Sequence, residues 1–129
     1  MIIESILTTM DGSGRVNFAP MGVEWGEDEI VIKPFLETTT FQNLRATGAA
    51  VVNLTDDVML FARGAIANVE FPAVPATAVR GVVLEAACFW REVEVDTIDA
   101  TPCSRRQFSL RAPICSRPRR SVTSSPGCR

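Results

Sequence analysis

Residues 34 to 54 constrain the fold most, because the end of a strand, a helix and a second strand follow one another there almost without a linker. Thr39 and Gln42 have the spacing of a capping box, which predicts a helix that begins at about Thr39. Gly48 can adopt the left-handed conformation that ends a helix, about two and a half turns later. The next segment, AAVVNL, is small, apolar and β-branched, as in a buried strand.

The start of this helix is its chemically interesting end. Free amides and the positive end of the helix dipole attract anions, phosphates above all, and the hydroxyls of Thr38, Thr39 and Thr40 add donors. The alternative is that Thr39 only caps the helix, while the other two threonines are solvated or end a strand. Taken alone, these residues favour capping, since threonine is common at helix starts for that reason.

Strand patterns dominate the rest of residues 1–99. Residues 2–10 are β-branched and roughly alternating, and they are followed by the turn signal DGSG and by RVNFAPMGVEW, which together predict a β-hairpin. Pro20 interrupts the alternation of the second strand and predicts a bulge or an edge position. A second helix is predicted after Thr55, and FWREVEVDTI alternates as a late strand. The predicted fold class is β-rich (α+β) with two short helices.

Composition excludes several kinds of site. The 129 residues fit one domain and include no histidine and no tyrosine, so His-based triads, His metal sites and Tyr acids are excluded. The four cysteines form no CxxC pair, and we predict no metal site. No apolar run reaches the roughly 18 residues of a membrane span, and the first residues lack a secretion signal. We therefore expect a cytoplasmic protein without a membrane partner.

The last 30 residues differ in character from the others. All 15 acidic residues lie within 1–99, whereas residues 100–129 contain seven arginines and no acid. This tail is rich in Arg, Ser, Pro and Cys and shows neither helix nor strand periodicity, so we expect it to be disordered from about residue 100. A basic tail can bind nucleic acid, but three cysteines and the lack of lysine and of interleaved aromatic residues argue against that partner.

Several motifs resemble one family. They are APMGV in the second strand, KPF, Thr40-x-x-Asn43-Leu44, the segment VNLTDD from residue 52, and VRGVVLEAACFWREVEV. Together they resemble flavin-reductase-like, FMN-binding split-barrel proteins, and more closely the family named domain of unknown function 447. The resemblance covers about three quarters of the chain and ends at about Ile98, where relatives continue with strands that complete the barrel and the dimer. It therefore implies a split β-barrel in residues 1–99 that is incomplete at its C-terminus, and a frame shift is the favoured explanation of the tail.

The resemblance also implies a cofactor and its site. FMN would have its phosphate at the helix start and its isoalloxazine ring along the APMGV strand. With this resemblance, a phosphate site at the helix start is favoured over a simple cap. Carried over by position, the implied binding residues are Pro20, Met21 and Gly22 for the ring, Thr38, Thr39, Thr40 and Asn43 for the phosphate, and Asn53 and Thr55 near the ribityl chain or ring edge.

The resemblance implies two functions. The favoured one is a flavin-dependent oxidoreductase of flavin-reductase type that uses a nicotinamide or another small molecule and works as a homodimer. In that case the flavin carries the hydride, and no side chain is identified as catalytic. The alternative is a non-enzymatic binding module for flavin or another small ligand, with an accessory role in one-carbon metabolism.

Overall fold

The computed structural model describes residues 1–34, 38–66, 70–95, 97–104 and 107–116, and for residues 60, 64–66, 97–104 and 107–116 it describes only the backbone. Within these ranges the chain forms nine strands and two helices. In chain order they are β1 (Ile2–Met10), β2 (Val16–Trp25), β3 (Glu29–Ile32), α1 (Thr39–Thr47), β4 (Ala49–Leu54), α2 (Val58–Ile66), β5 (Ala73–Pro75), β6 (Val82–Leu84), β7 (Phe89–Glu94), β8 (Thr97–Ser104) and β9 (Gln107–Ser116). Neither helix in these ranges is long and apolar enough to cross a membrane.

Seven of the strands form one antiparallel sheet in the order β3, β2, β1, β4, β7, β9, β8. The predicted hairpin is confirmed: β1 and β2 pair along their whole lengths, from Ile2 opposite Glu24 to Met10 opposite Val16. Strand β9 also pairs with β3, the first strand in this order, so the sheet curls into a barrel. Strands β5 and β6 form a separate two-stranded sheet.

Apolar side chains cover both faces of this sheet. The inner cluster includes Leu7, Val23 and Val52, and α1 contributes Phe41 and Leu44 to it. Helix α1 therefore packs its apolar face against the barrel interior. The second cluster lies on the opposite face of β1 and β4, where Ile6 and Val51 contribute to it. It also includes residues between α2 and β7, namely Phe71, Val83 and Leu84, and Phe18 and Trp90 pack against it.

Pro20 lies at an edge and causes no bulge. The register between β1 and β2 is unbroken through the pair Ile6 and Pro20. On the other side of β2, the described pairing with β3 is limited to Glu24 and Trp25, so the missing amide of Pro20 faces no strand partner. The alternation in the sequence changes at Pro20 because Phe18 packs on the outer cluster and Met21 on the inner one.

Two strands replace the disorder that we expected from residue 100. Strand β9 pairs with β3 from Leu110 to Pro113 and with β7 at Ile114 and Ser116, and β8 pairs with β9. Strand β9 therefore occupies the edges of β3 and β7 that we had expected to stay open. The physical reason is that β3 and β7 each offer an unpaired edge, and edge backbone groups bind a strand of almost any composition. Residues 117–129 lie outside the described residues.

Candidate functional site

Thr38 caps helix α1, so the prediction that Thr39 is the cap was wrong by one residue. Thr38 has extended backbone angles (φ −86°, ψ 155°), and its hydroxyl accepts a hydrogen bond from the amide of Phe41 at 3.3 Å. The Thr38 carbonyl also accepts from the amide of Gln42 at 3.2 Å. Thr39, the first helical residue, is exposed. Among the described residues, no acceptor bonds the amides of Thr39 and Thr40, as is usual in a first helical turn.

The far end of α1 agrees with the sequence prediction. Gly48 has φ 71° and ψ 16°, and its amide donates to the carbonyl of Leu44 at 2.9 Å. A left-handed glycine there satisfies a terminal carbonyl and turns the chain directly into β4.

Two predicted phosphate ligands, Thr40 and Asn43, join α1 to the sheet. Both side chains are buried, at 2% and 4% exposure. The amide nitrogen of Asn17 on β2 donates to the Thr40 hydroxyl at 3.1 Å, and the amide nitrogen of Asn43 donates to the hydroxyl of Thr9 on β1 at 3.1 Å. These two bonds fix the first turn of α1 against the β1–β2 hairpin.

A cavity of about 290 Å³ lies beside the start of α1. Its walls come from the β1–β2 turn, the first residues of β2, the first residue of α1 and the segment before β5. The lining residues are Asp11, Arg15, Val16, Asn17, Phe18, Thr39 and Glu70. The cavity therefore contains one cationic and two acidic side chains next to the free amides of a helix.

Asp11 makes one wall of this cavity rigid. One oxygen of its carboxylate accepts from the amide of Ser13 at 2.9 Å, from the Ser13 hydroxyl at 2.7 Å and from the amide of Arg15 at 2.9 Å. The amide of Asp11 in turn donates to the Arg15 carbonyl at 3.0 Å. These bonds, with that from Arg15 first, hold the pKa of Asp11 below its usual value, so the turn is fixed by an ionised carboxylate.

The residues predicted to contact the ring lie further along β2. Phe18, Pro20 and Gly22 alternate with Met21 and so share one face of the strand. Gly22 is exposed on that face, and a Cβ atom there would lie 3.2 Å from side-chain atoms of Glu4 and Ile2.

Met21 differs from its two neighbours, because its side chain packs against the inner cluster. Its carbonyl accepts from the Ser5 hydroxyl at 2.9 Å. The face that begins at the cavity with Phe18 thus continues past Pro20 to Gly22, which lies roughly 13 Å away at the usual rise of a strand.

Asn53 and Thr55 are not brought to this cavity. Asn53 is fully buried, and its amide nitrogen donates to the Ile6 carbonyl at 2.9 Å while its side-chain oxygen accepts from the amide of Leu84 at 3.0 Å. Thr55 accepts from the amide of Asp57 at 3.1 Å, just before α2. Both residues thus have hydrogen-bond partners within the protein. Their place near the ribityl chain stays a prediction.

Several cavity residues were missed at the level of sequence. Arg15, Asn17, Phe18 and Glu70 line the cavity, but DGSG and the residues after it were interpreted only as a turn and a strand. Arg15 had one usable signal, since it is a lone cation directly before the strand that carries APMGV. Glu70 had none, because only tertiary packing brings it near α1.

A family model of the N-terminal domain of DUF447, a protein of unknown function, matches residues 3–112. The chain belongs to the DUF447 family. The resemblance drawn from the motifs is thereby confirmed. The match runs beyond Ile98, where we expected the chain to depart from its relatives. The frame-shift origin of the arginine-rich segment stays a prediction, which the DNA sequence around codons 96 to 100 tests.

Solved structures confirm the split-barrel fold. An FMN-bound DUF447 protein from Methanosarcina mazei is similar with a TM-score of 0.73 at 21% identity, over 97% of this chain and 65% of that one. A 2-nitrobenzoate 2-nitroreductase from Pseudomonas fluorescens has a TM-score of 0.74 at 19% identity, over 88% and 62%. A putative flavin reductase with a split barrel domain from Shewanella frigidimarina has 0.75 at 12% identity, over 88% and 64%.

This DUF447 chain thus spans about two thirds of the length of these three proteins. No curated protein matches it. At these identities the likeness concerns the fold.

Proposed function

We propose that this protein binds FMN, with the phosphate in the cavity at the start of α1. The observation that carries the proposal is the cavity itself, which is lined by Thr39 at the start of α1 and by the first residues of the strand that carries APMGV. The M. mazei protein of the same family, which is FMN-bound, supports the choice of ligand.

The residues at the cavity fit a phosphate. The first turn of a helix offers amides and a partial positive charge, both of which favour an anion. The hydroxyl of Thr39 is exposed at this point and can donate as well. Thr38, Thr40 and Asn43 hold the turn in place through the cap and the two bonds to the hairpin. In this proposal Thr40 contributes its amide, and Asn43 positions the helix.

The isoalloxazine ring would lie along β2 on the face of Pro20 and Gly22. Gly22 itself carries no side chain on this exposed strand face, and the side chains of Glu4 and Ile2 border its position. Met21 would contribute only backbone, because its side chain belongs to the inner cluster. The protein would therefore bind and orient the flavin mainly with backbone groups.

We infer that the activity is that of a flavin-dependent oxidoreductase of flavin-reductase type, with a nicotinamide or another small molecule as its substrate. Bound FMN supplies the hydride chemistry. The chain's own residues would bind the cofactor and orient it, and no side chain is identified as catalytic. The names of the similar proteins, a flavin reductase and a nitroreductase among them, support this class.

A second copy of the chain is the proposed partner. Ile2, Val58 and Met59 are large apolar side chains that are 65%, 75% and 64% exposed, so they are candidates for such an interface. A homodimer would cover such surface. Light scattering of flavin-loaded protein should give twice the chain mass, and a monomeric mass would contradict the dimer.

The test of the proposal is a fluorescence titration with FMN and with riboflavin, followed by an assay of nicotinamide oxidation. FMN should bind at least about tenfold more tightly, since one charge-assisted hydrogen bond to the phosphate contributes roughly 1.5 to 3 kcal/mol. Equal affinities would refute the phosphate site. A coloured FMN complex without turnover would leave FMN binding intact and favour the non-enzymatic binding module over the oxidoreductase.

A further inference from the structure

We infer that Arg15 binds the phosphate of the flavin and that Glu70 opposes it, so this pair of side chains sets the selectivity for the phosphorylated cofactor. The inference rests on the proposed function, because it concerns the same cavity. It adds two residues to which neither the family motifs nor the comparisons give a role.

Arg15 is distinguished from the other cations by what it lacks. Among the side chains that the structure describes, every other basic residue has a partner. Lys33 pairs with Glu24, Arg80 donates to the Gly12 carbonyl, and Arg45, Arg63 and Arg91 lie over the rings of Phe41, Phe71 and Trp25. In the same part of the chain, the guanidinium of Arg15 has neither an ion pair nor an aromatic partner, although it lines a cavity with two carboxylates.

The backbone of Arg15 is held at the cavity wall. Its amide and its carbonyl are both bonded to Asp11, one through the carboxylate and one through the main chain. The Asp11 oxygen that accepts from the Arg15 amide accepts three hydrogen bonds in all, so this oxygen has little capacity left for the guanidinium. A guanidinium offers paired donors that match the oxygens of a phosphate, which makes Arg15 the cation suited to this ligand.

Glu70 lines the same cavity and carries the opposite charge. A phosphate monoester carries a charge of about −1.5 to −2 at pH 7, so a carboxylate in the same cavity repels it. Glu70 also attracts the Arg15 guanidinium when no ligand is bound. Both effects lower the affinity for FMN and leave that for riboflavin unchanged. Because Glu70 is exposed, salt and water reduce the repulsion to about threefold to tenfold in affinity.

The experiment compares FMN and riboflavin affinities of the full chain and its variants by fluorescence titration. Arg15→Gln should weaken FMN binding about tenfold or more and leave riboflavin binding unchanged. Arg45→Gln, which removes the same charge from the other end of α1, is the matched control and should change FMN affinity less than about twofold. Arg15→Lys should restore part of the loss, because it keeps the charge but not the paired donors.

Glu70→Gln should tighten FMN binding by about threefold to tenfold and leave riboflavin binding unchanged. Glu85→Gln, at an exposed position outside the cavity, is its control. The gain from Glu70→Gln should shrink at high salt.

The outcomes distinguish a failure of the proposed FMN site from a failure of the roles given to Arg15 and Glu70. A wild-type chain that binds neither flavin, or both equally, would overturn the proposed function. Wild-type preference for FMN, together with equal effects of Arg15→Gln and Arg45→Gln, would overturn the role of Arg15 alone. An unchanged or weaker FMN affinity in Glu70→Gln would overturn the opposing role of Glu70. If Arg15→Gln does not fold, the comparison of Arg15→Lys with wild type decides the point, since loss of the paired donors alone should still lower FMN affinity.

Discussion

The carboxylate of Glu92 accepts a hydrogen bond from the amide of Val79 at 3.2 Å, across the boundary between β7 and the loop before β6. Glu92 is only 3% exposed. Its other donors are the amide and the hydroxyl of Thr77, the amide of Ala78 and the indole nitrogen of Trp90. Three consecutive backbone amides thus surround one buried carboxylate, which fixes the loop against the sheet.

Glu92 should make the stability of the fold depend on pH. Burial raises the pKa of Glu92, but the hydrogen bonds from Ala78, Thr77 and Trp90 outweigh it and leave the pKa below its ordinary value. A lowered pKa in the folded state means that the contribution is complete above the pKa of the unfolded chain. It is lost as the pH falls through the folded value. Urea unfolding at a series of pH values from 7 to 3 should therefore show a decreasing free energy of unfolding below about pH 4.5.

The substitution Glu92→Gln tests this contribution. It should lower the free energy of unfolding at pH 7 by about 2 kcal/mol or more, since it removes the charge and turns one acceptor into a donor that faces other donors. It should also flatten the pH dependence between 5 and 3. Glu94→Gln is the control, because Glu94 is exposed on the same strand. Equal pH profiles for wild type and Glu92→Gln would contradict the assignment.

The cap of α1 gives a second prediction. Thr38→Ala should lower the free energy of unfolding by about 1 kcal/mol, because it removes the hydroxyl that accepts from the amide of Phe41. Thr39→Ala changes an exposed side chain that takes no part in that bond, so its free energy of unfolding should stay within about 0.5 kcal/mol of the wild-type value. Urea unfolding of the two variants without ligand distinguishes the registers. A larger loss for Thr39→Ala would restore the capping box that the sequence suggests.

The sequence predicts the regular parts of this fold because local patterns determine them. The hairpin, the bounds of α1 to within a residue, the left-handed Gly48 and the buried strand Ala49–Leu54 all follow from turn residues, caps and apolar runs. The predicted cap lies one residue too late because Thr38, Thr39 and Thr40 are chemically alike. Only the backbone angles decide which of them leaves the helix.

What the sequence does not predict depends on pairs of residues far apart in the chain. Strand β9 forms because it pairs with β3 and β7, and the composition of an arginine-rich segment does not indicate those partners. Glu92 lies in an alternating strand where it is expected to face water, whereas its donors come from residues 77–79. In the candidate site, the helix start was predictable. The contribution of Glu70 was not, because only folding places it opposite Thr39.

Asn53 supports a third prediction. Asn53→Ala leaves the amide of Leu84 without its acceptor and removes a donor from the Ile6 carbonyl, both in the protein interior. Each unsatisfied group costs about 1 to 3 kcal/mol, so the free energy of unfolding should fall by roughly 3 kcal/mol. FMN affinity of the folded fraction should be unchanged, because Asn53 does not line the cavity. A loss of affinity without a loss of stability would instead support the place near the ribityl chain that the resemblance implies.

The last prediction concerns Thr40 and its bond to Asn17. From the sequence, Thr40 has no capping duty, and its hydroxyl would matter only to a ligand. In the structure, Thr40 is only 2% exposed, and its hydroxyl accepts from the side-chain amide nitrogen of Asn17. Thr40→Val keeps the shape of the side chain but leaves the Asn17 side chain without this acceptor. The free energy of unfolding without ligand should therefore fall by roughly 1 to 2 kcal/mol.

A double-mutant cycle with Asn17→Ala isolates this bond. The effects of the two substitutions on the free energy of unfolding should be non-additive by about 1 kcal/mol, since either one removes the same hydrogen bond. The amide of Thr40 is unchanged in the valine variant, and FMN affinity per folded molecule should therefore fall by less than about tenfold. Additive effects on stability, combined with a larger loss of FMN affinity, would show that the Thr40 hydroxyl serves the phosphate directly and not the contact between α1 and β2.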